Sequence, residues 1–167
     1  MTKIRNIKIL SIVLLIAILA TACFKQPVYD DVPEIAFKAF DYTGSEYIVD
    51  DSGFLLLTFT DGDGDIGKDT NDDPTLNLFI ETVYSFTNPL TEAFVLPNVP
   101  YNGTTDDISG EIKIRLNSIY DESEYDLRDQ LAPGLIRDTV TMNIRIKDRA
   151  GNYSNTITTP KLPRYFP

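Results

Sequence analysis

Histidine and tryptophan are missing from this chain, and there is one cysteine in 167 residues. Without imidazole there is no Ser-His-Asp triad, no Cys-His dyad and no histidine-ligated zinc. A single thiol allows no intrachain disulfide and no cysteine-rich metal cluster. Positive charge is also scarce, with 15 Lys and Arg against 25 Asp and Glu and a net charge of −10. Affinity for nucleic acid comes mainly from neutralising phosphates, so this balance argues against nucleic acid as a partner. The sequence shows no repeat of 20–50 residues and no low-complexity tract.

What is present begins with an address. Lys3, Arg5 and Lys8 make a positive start, and Ile9 to Leu19 is apolar apart from Ser11. A helix rises about 1.5 Å per residue, so this run covers roughly half of a ~30 Å hydrocarbon core. It has the length of a signal-peptide core, too short for a membrane span. The small residues Ala20, Thr21 and Ala22 follow, and then Cys23. This stretch resembles the lipobox of bacterial lipoproteins, with Ala20 standing where that motif usually has Leu. The resemblance implies cleavage after residue 22, a diacylglyceryl group on Cys23, and anchoring by acyl chains at about 0.8 kcal/mol per buried methylene. Phe24, and not Asp, follows the lipidated Cys, which by analogy with lipoprotein sorting favours the outer membrane, with surface exposure left open. Cleavage leaves twelve basic against 25 acidic side chains, a net of −13. Residues 23–33, bracketed by Pro27 and Pro33 and charged at Asp30 and Asp31, read as an extended tether. Residues 34–167 have the length of one domain.

The body of the chain alternates with period two between turn signals. Val140, Met142, Ile144 and Ile146 alternate with Thr141, Asn143, Arg145 and Lys147, and Ile112, Ile114 and Leu116 alternate with charged residues. Gly53–Thr60 is apolar on both faces, which predicts a central strand. Leu76–Tyr84 places Leu76, Leu78 and Ile80 on one face. Ile35–Phe40 and Glu92–Leu96 read as edge strands, and Tyr153–Thr159 closes the set. Glu122–Leu131 alone reads as a helix, stopped by Pro133-Gly134. About seven short strands predict an all-β, immunoglobulin-like β-sandwich, with a small closed barrel as the alternative. Asp148–Asn152 makes a tight turn between the last strands, and IKDRAGNYSN resembles the final hairpin of bacterial immunoglobulin-like domains.

The most informative segment is acidic. Asp61, Asp63, Asp65, Asp69, Asp72 and Asp73 put six carboxylates into thirteen residues, opposed by Lys68. Like charges this close are unfavourable unless neutralised. Calcium takes six to eight oxygen ligands, and a Gly-Asp alternation lets a loop curl several carboxylates toward one point. The D-x-D-x-D opening resembles an EF-hand loop. Ile66 at its sixth position, Asp72 at its twelfth and a preceding strand exclude that motif. Asp61 continues the face of Leu55, Leu57 and Phe59, and Asp148 continues the face of Val140–Ile146. In an immunoglobulin-like sandwich the loops after the second and sixth strands share one end. The expected calcium ligands are therefore Asp61, Asp63, Asp65 and Asp69, with Asp148 as a contributor. The competing reading is a solvated acidic turn.

The lipobox, FTDGDGDIG after a strand, and IKDRAGNYSNTITTP together resemble small lipoproteins of the Bacteroidota that have no known function. That resemblance implies location and fold and supplies no reaction. An enzyme needs a nucleophile, base or metal-bound water in a pocket, and here carboxylates are the abundant candidates. A carboxylate-dependent glycoside hydrolase is thus the catalytic alternative. A non-catalytic binding or structural role at the envelope fits better, its partner an envelope protein or a glycan. Tyr101, Tyr120 and Tyr125 are candidate sugar-stacking residues, although aromatics of a sandwich more often belong to its core. Asp138-Thr139-Val140 resembles a bacterial O-glycosylation site and equally suits a strand start.

Overall fold

The computed structural model describes residues 27–49, 51–67, 75–97, 107–119 and 122–167. Cys23, Asp69, Tyr101 and Tyr120 lie outside them. The strands are β1 (Glu34–Tyr42), β2 (Tyr47–Ile48), β3 (Gly53–Asp61), β4 (Leu78–Val83), β5 (Leu90–Phe94), β6 (Ile108–Arg115), β7 (Arg137–Ile146), β8 (Ile157–Thr158) and β9 (Leu162–Tyr165). Among the described residues one α-helix, α1 (Glu122–Leu131), joins β6 to β7 after a 3-10 turn at Leu116–Ser118.

Two sheets form. One runs β1-β3-β6, and the other β2-β9-β7-β4-β5 with β8 paired on β7. The first three long strands of one sheet correspond to strands A, B and E of an immunoglobulin-like sandwich. β4, β7 and β9 correspond to C, F and G, with β5 as the extra edge strand beside C. The chain is an immunoglobulin-like all-β sandwich, and among the described residues no barrel closes. The short β2 leaves the first sheet to pair in parallel with β9, while the other pairs are antiparallel.

Period two decides which side chains meet. β3 alternates strictly between buried and half-buried positions, and Leu55 and Leu57 are fully enclosed. β7 contributes Val140, Met142, Ile144 and Ile146, each 0–1% exposed. β4 adds Leu78 and Ile80 from the same sheet as β7. Each such side chain is worth roughly 1.5–3 kcal/mol on burial. The second face of β3 is also covered, since Lys113 Nζ lies 3.8 Å from the centre of the Phe54 ring. Its position between β1 and β6 is that of a central strand, and β1 and β5 are edges.

The differences from the expected elements have identifiable causes. Leu76 stands outside β4 and is 48% exposed. Tyr153–Thr159 condenses to the two residues of β8 and an isolated bridge between Lys147 and Tyr153. β9 contains Pro163, a residue that argues against a strand interior. Pro163 stands opposite Thr139 in the β7 pairing, and β2 pairs only with Arg164 and Tyr165 beyond it. Asp138 faces Arg164 in that register. The two form a fork-to-fork ion pair, Nε to Oδ1 at 2.9 Å and Nη2 to Oδ2 at 2.7 Å, with both side chains wholly buried. Tyr125 packs edge-on against Phe166 at 5.6 Å and is therefore part of the packing of α1 on the sandwich.

Candidate metal centre

β3 carries the core face straight into the acidic loop. Asp61 is its last residue and, in phase with Leu55, Leu57 and Phe59, points inward with 0% exposure. The chain then curls back. Gly64 takes φ 69°, a left-handed conformation that residues with a Cβ rarely adopt. The curl lets the Asp65 amide donate to Asp61 Oδ2 at 2.8 Å. Ile66, at 1% exposure, plugs the loop back into the core. The isoleucine that excludes an EF-hand is thus the pin that fixes this loop.

Asp61, Asp63 and Asp65 each present a carboxylate oxygen within 4.8 Å of the others. Asp61 is buried, Asp65 half-buried and Asp63 exposed, so the group opens toward solvent on one side. Asp61 Oδ1 and Asp65 Oδ1 are both buried with no hydrogen-bond partner. An acceptor left unsatisfied in this way costs about 1–3 kcal/mol, and more when charged.

The electrostatics point the same way. The Asp61 carboxyl is pushed up from 3.8 to about 6. Burial is the main cause, the Asp65 amide opposes it, and the charges of Asp63 and Asp65 raise it further. Asp65 is also raised, first by burial, with Asp148 and Asp63 adding repulsion. The Ala150 amide and Arg149 offset part of that. A site that resists ionisation while collecting three acids is one that favours a neutralising cation.

The turn after β7 meets this loop, as the sandwich topology predicts. Arg149 N donates to the Asp65 carbonyl at 3.2 Å, and Ala150 N to Asp65 Oδ2 at 2.8 Å. Asp148 is buried at the same end but is occupied by its own turn. Its Oδ1 accepts from Gly151 N at 2.6 Å and Asn152 N at 2.7 Å, and its Oδ2 from Asn152 Nδ2 at 2.9 Å. It stands against Asp65 as a charge and caps the hairpin, outside the three-carboxylate group. The structure therefore brings together Asp61, Asp63 and Asp65, sets Asp148 beside them, and leaves Asp69 outside the described residues.

The segment before β1 supplies a wall that the sequence did not announce. The Asp30 carbonyl accepts from Gly62 N at 2.7 Å. A Cβ on Gly62 would lie 2.7 Å from Tyr29 O and 2.8 Å from Asp30 O, so only glycine fits beneath this strap. Tyr29 N in turn donates to Asp107 Oδ1 at 2.6 Å. Part of the expected tether is thus laid across the acidic loop. Gly62 was the one legible signal, and a contact between backbones 32 residues apart leaves no other mark.

The donor set is carboxylate oxygen throughout, with main-chain carbonyls nearby. That chemistry suits a hard cation. Calcium, at 2.3–2.6 Å and with flexible coordination, tolerates a loop that also admits water. Magnesium demands a tighter octahedron and keeps more of its own waters.

Two further concavities lie outside the three-carboxylate group. An apolar cleft of about 610 Å³ opens between β5 and β6, with Phe59, Ile66, Phe94, Leu96 and Ile112 in its walls. A smaller one, about 250 Å³, lies on the outer face of β4 and β7 among Phe79, Glu81, Asn143 and Arg145. No protein-family model, curated protein or solved structure matches the chain.

Proposed function

We propose that this protein is a lipid-anchored module of the bacterial cell envelope, held at the outer membrane through Cys23, whose sandwich binds or supports an envelope partner and is stabilised by calcium. The calcium ligands in this reading are Asp61, Asp63 and Asp65, with Asp69 completing the set and Asp148 holding the neighbouring turn in place. No catalytic role is assigned. The observation that carries the reading is the Asp61 carboxylate, fully buried, with Oδ1 unpartnered and two further carboxylates within 4.8 Å. A solvated turn would leave such oxygens to water. The anchor rests on the sequence of residues 1–23. Among the described residues no helix is long and apolar enough to cross a membrane.

Calorimetric titration tests the metal. The full chain in detergent should bind calcium with measurable heat, and its melting temperature should rise between chelator and millimolar calcium. Absence of both effects rejects the reading.

Carbohydrate capture is a second reading, favoured by one surface. Phe79 and Tyr153 lie 5.8 Å apart on the outer face of the second sheet, and the Arg145 guanidinium stacks 4.5 Å from the Tyr153 ring centre. An aromatic platform beside polar side chains is suited to a sugar ring. A glycan array decides between the readings, with sugar binding abolished by Tyr153→Ala supporting capture.

A further inference from the structure

The strap over the acidic loop raises a question of charge. Asp30, whose carbonyl accepts from Gly62 N, and its neighbour Asp31 belong to a strap that crosses the loop carrying Asp61, Asp63 and Asp65, and the strap's Tyr29 amide meets Asp107. Arg149 is the cation that lies against Asp65. Little apolar burial offsets the repulsion. Val28 is 79% and Val32 45% exposed. Tyr29 is half-buried, and Pro33 is enclosed where β1 begins. Among the described residues, the strap is fastened to the domain by the hydrogen bonds at Gly62 and Tyr29. Two such bonds are a marginal hold for a segment in which every ordered residue loses backbone freedom.

A divalent ion at the neighbouring carboxylates changes that balance. It removes the repulsion and fixes the loop whose Gly62 amide the strap engages. The ion has a second, independent support in the buried and unpartnered Asp61 Oδ1. We propose that calcium bound at Asp61, Asp63 and Asp65 latches residues 29–32 onto the domain, so that the ion controls the length of free chain between sandwich and membrane anchor. This rests on the calcium reading and adds a regulated element to it. Release of residues 27–33 frees seven residues, which span up to roughly 23 Å when extended. The domain stands close to its anchor with calcium bound and reaches further when calcium is withdrawn. Coupling of this kind is reciprocal, so an intact strap also tightens the metal site.

Hydrogen exchange by mass spectrometry on the full chain in detergent reads the latch directly, with calorimetric calcium titration on the same sample. Replacing chelator by millimolar calcium should slow exchange of the Tyr29 and Gly62 amides about tenfold or more. Calcium heat without any change in residues 27–33 overturns the latch and leaves the metal site standing. Absence of heat overturns both. Two variants separate cause from collapse. Gly62→Ala should leave residues 27–33 exchanging fast with or without calcium and weaken calcium binding about fivefold, within the usual range of such couplings. Unchanged affinity and protection there overturn the proposal. The paired change Asp30→Asn and Asp31→Asn keeps the fold, since both residues are exposed. It should slow strap exchange in chelator toward the calcium value, and an undiminished calcium dependence refutes the electrostatic latch.

Discussion

Asp61 concentrates the chemistry of this protein because β3 delivers it inward. A carboxylate at the end of a strand is ordinarily solvated, but this one is in phase with Leu55, Leu57 and Phe59. Replacing it by Asn keeps the shape and an acceptor for the Asp65 amide while removing the charge. Asp61→Asn should therefore unfold at the same or a higher temperature than the parent in chelator, and its melting temperature should no longer respond to calcium. Differential scanning calorimetry with and without the ion checks both halves. The pH dependence follows from the same residue. The folded pKa of about 6 lies above the ordinary 3.8, so the metal-free fold holds this proton more tightly than the unfolded chain does. Its contribution is fully present below about 4 and is lost as pH rises through about 6. Metal-free protein should thus lose stability on the order of 2 kcal/mol across that window. Calcium binding competes with the proton and should weaken as pH falls below about 6. Denaturant midpoints in chelator and titrations in calcium, at pH 4 to 7, give these opposite slopes. The three clustered aspartates were legible because Gly-Asp alternation is a local pattern. Asp148 was legible in place but not in role, because spacing shows that it reaches the pole and only geometry shows three donors already on it.

At the scale of elements, the alternating strands were legible because each has one dry face. β3, β4, β6 and β7 declare themselves through residues that the sandwich then buries. β2 and β9 did not, and the reason lies in nonlocal pairing. β9 is Leu-Pro-Arg-Tyr, whose proline and arginine both argue against a buried strand. Arg164 is nevertheless 0% exposed, because its guanidinium finds Asp138 across the β7 pairing and lies 5.0 Å from the Phe166 ring centre. The partner is 26 residues earlier in the chain. Asp138-Thr139-Val140 does belong to a strand, since Asp138 sits inside β7 with its carboxylate committed to Arg164. Asp138→Ala removes that carboxylate from a buried guanidinium, a change that typically costs 3–5 kcal/mol. Equilibrium urea unfolding should show a loss of that size, equal in calcium and in chelator because the pair is remote from the acidic loop. A loss below about 1 kcal/mol would mean that β9 is loosely held.

For the whole molecule, fold and location are separable, and so are the physical terms behind them. The sandwich is held by apolar faces brought together between two sheets. Attachment, in the reading advanced above, comes from acyl chains on Cys23. The remaining surface opposes attachment, because residues 23–167 carry twelve basic and 25 acidic side chains. Anionic headgroups attract basic segments at about 1 kcal/mol per residue and repel an acidic body. In that reading lipid on Cys23 is the term that overcomes the repulsion, and nothing in the charge of the domain substitutes for it. Cys23→Ser should move the protein from the membrane pellet to the soluble fraction, and low salt should not return it, since weaker screening only strengthens like-charge repulsion. Its melting temperature and its calcium response should match those of the anchored form, because the core and Asp61 contain nothing contributed by the acyl chains. Fractionation of cells carrying either form, followed by calorimetry of the purified proteins, measures both effects. Membrane retention of the serine variant would show that a protein partner, and not lipid, holds the domain at the envelope.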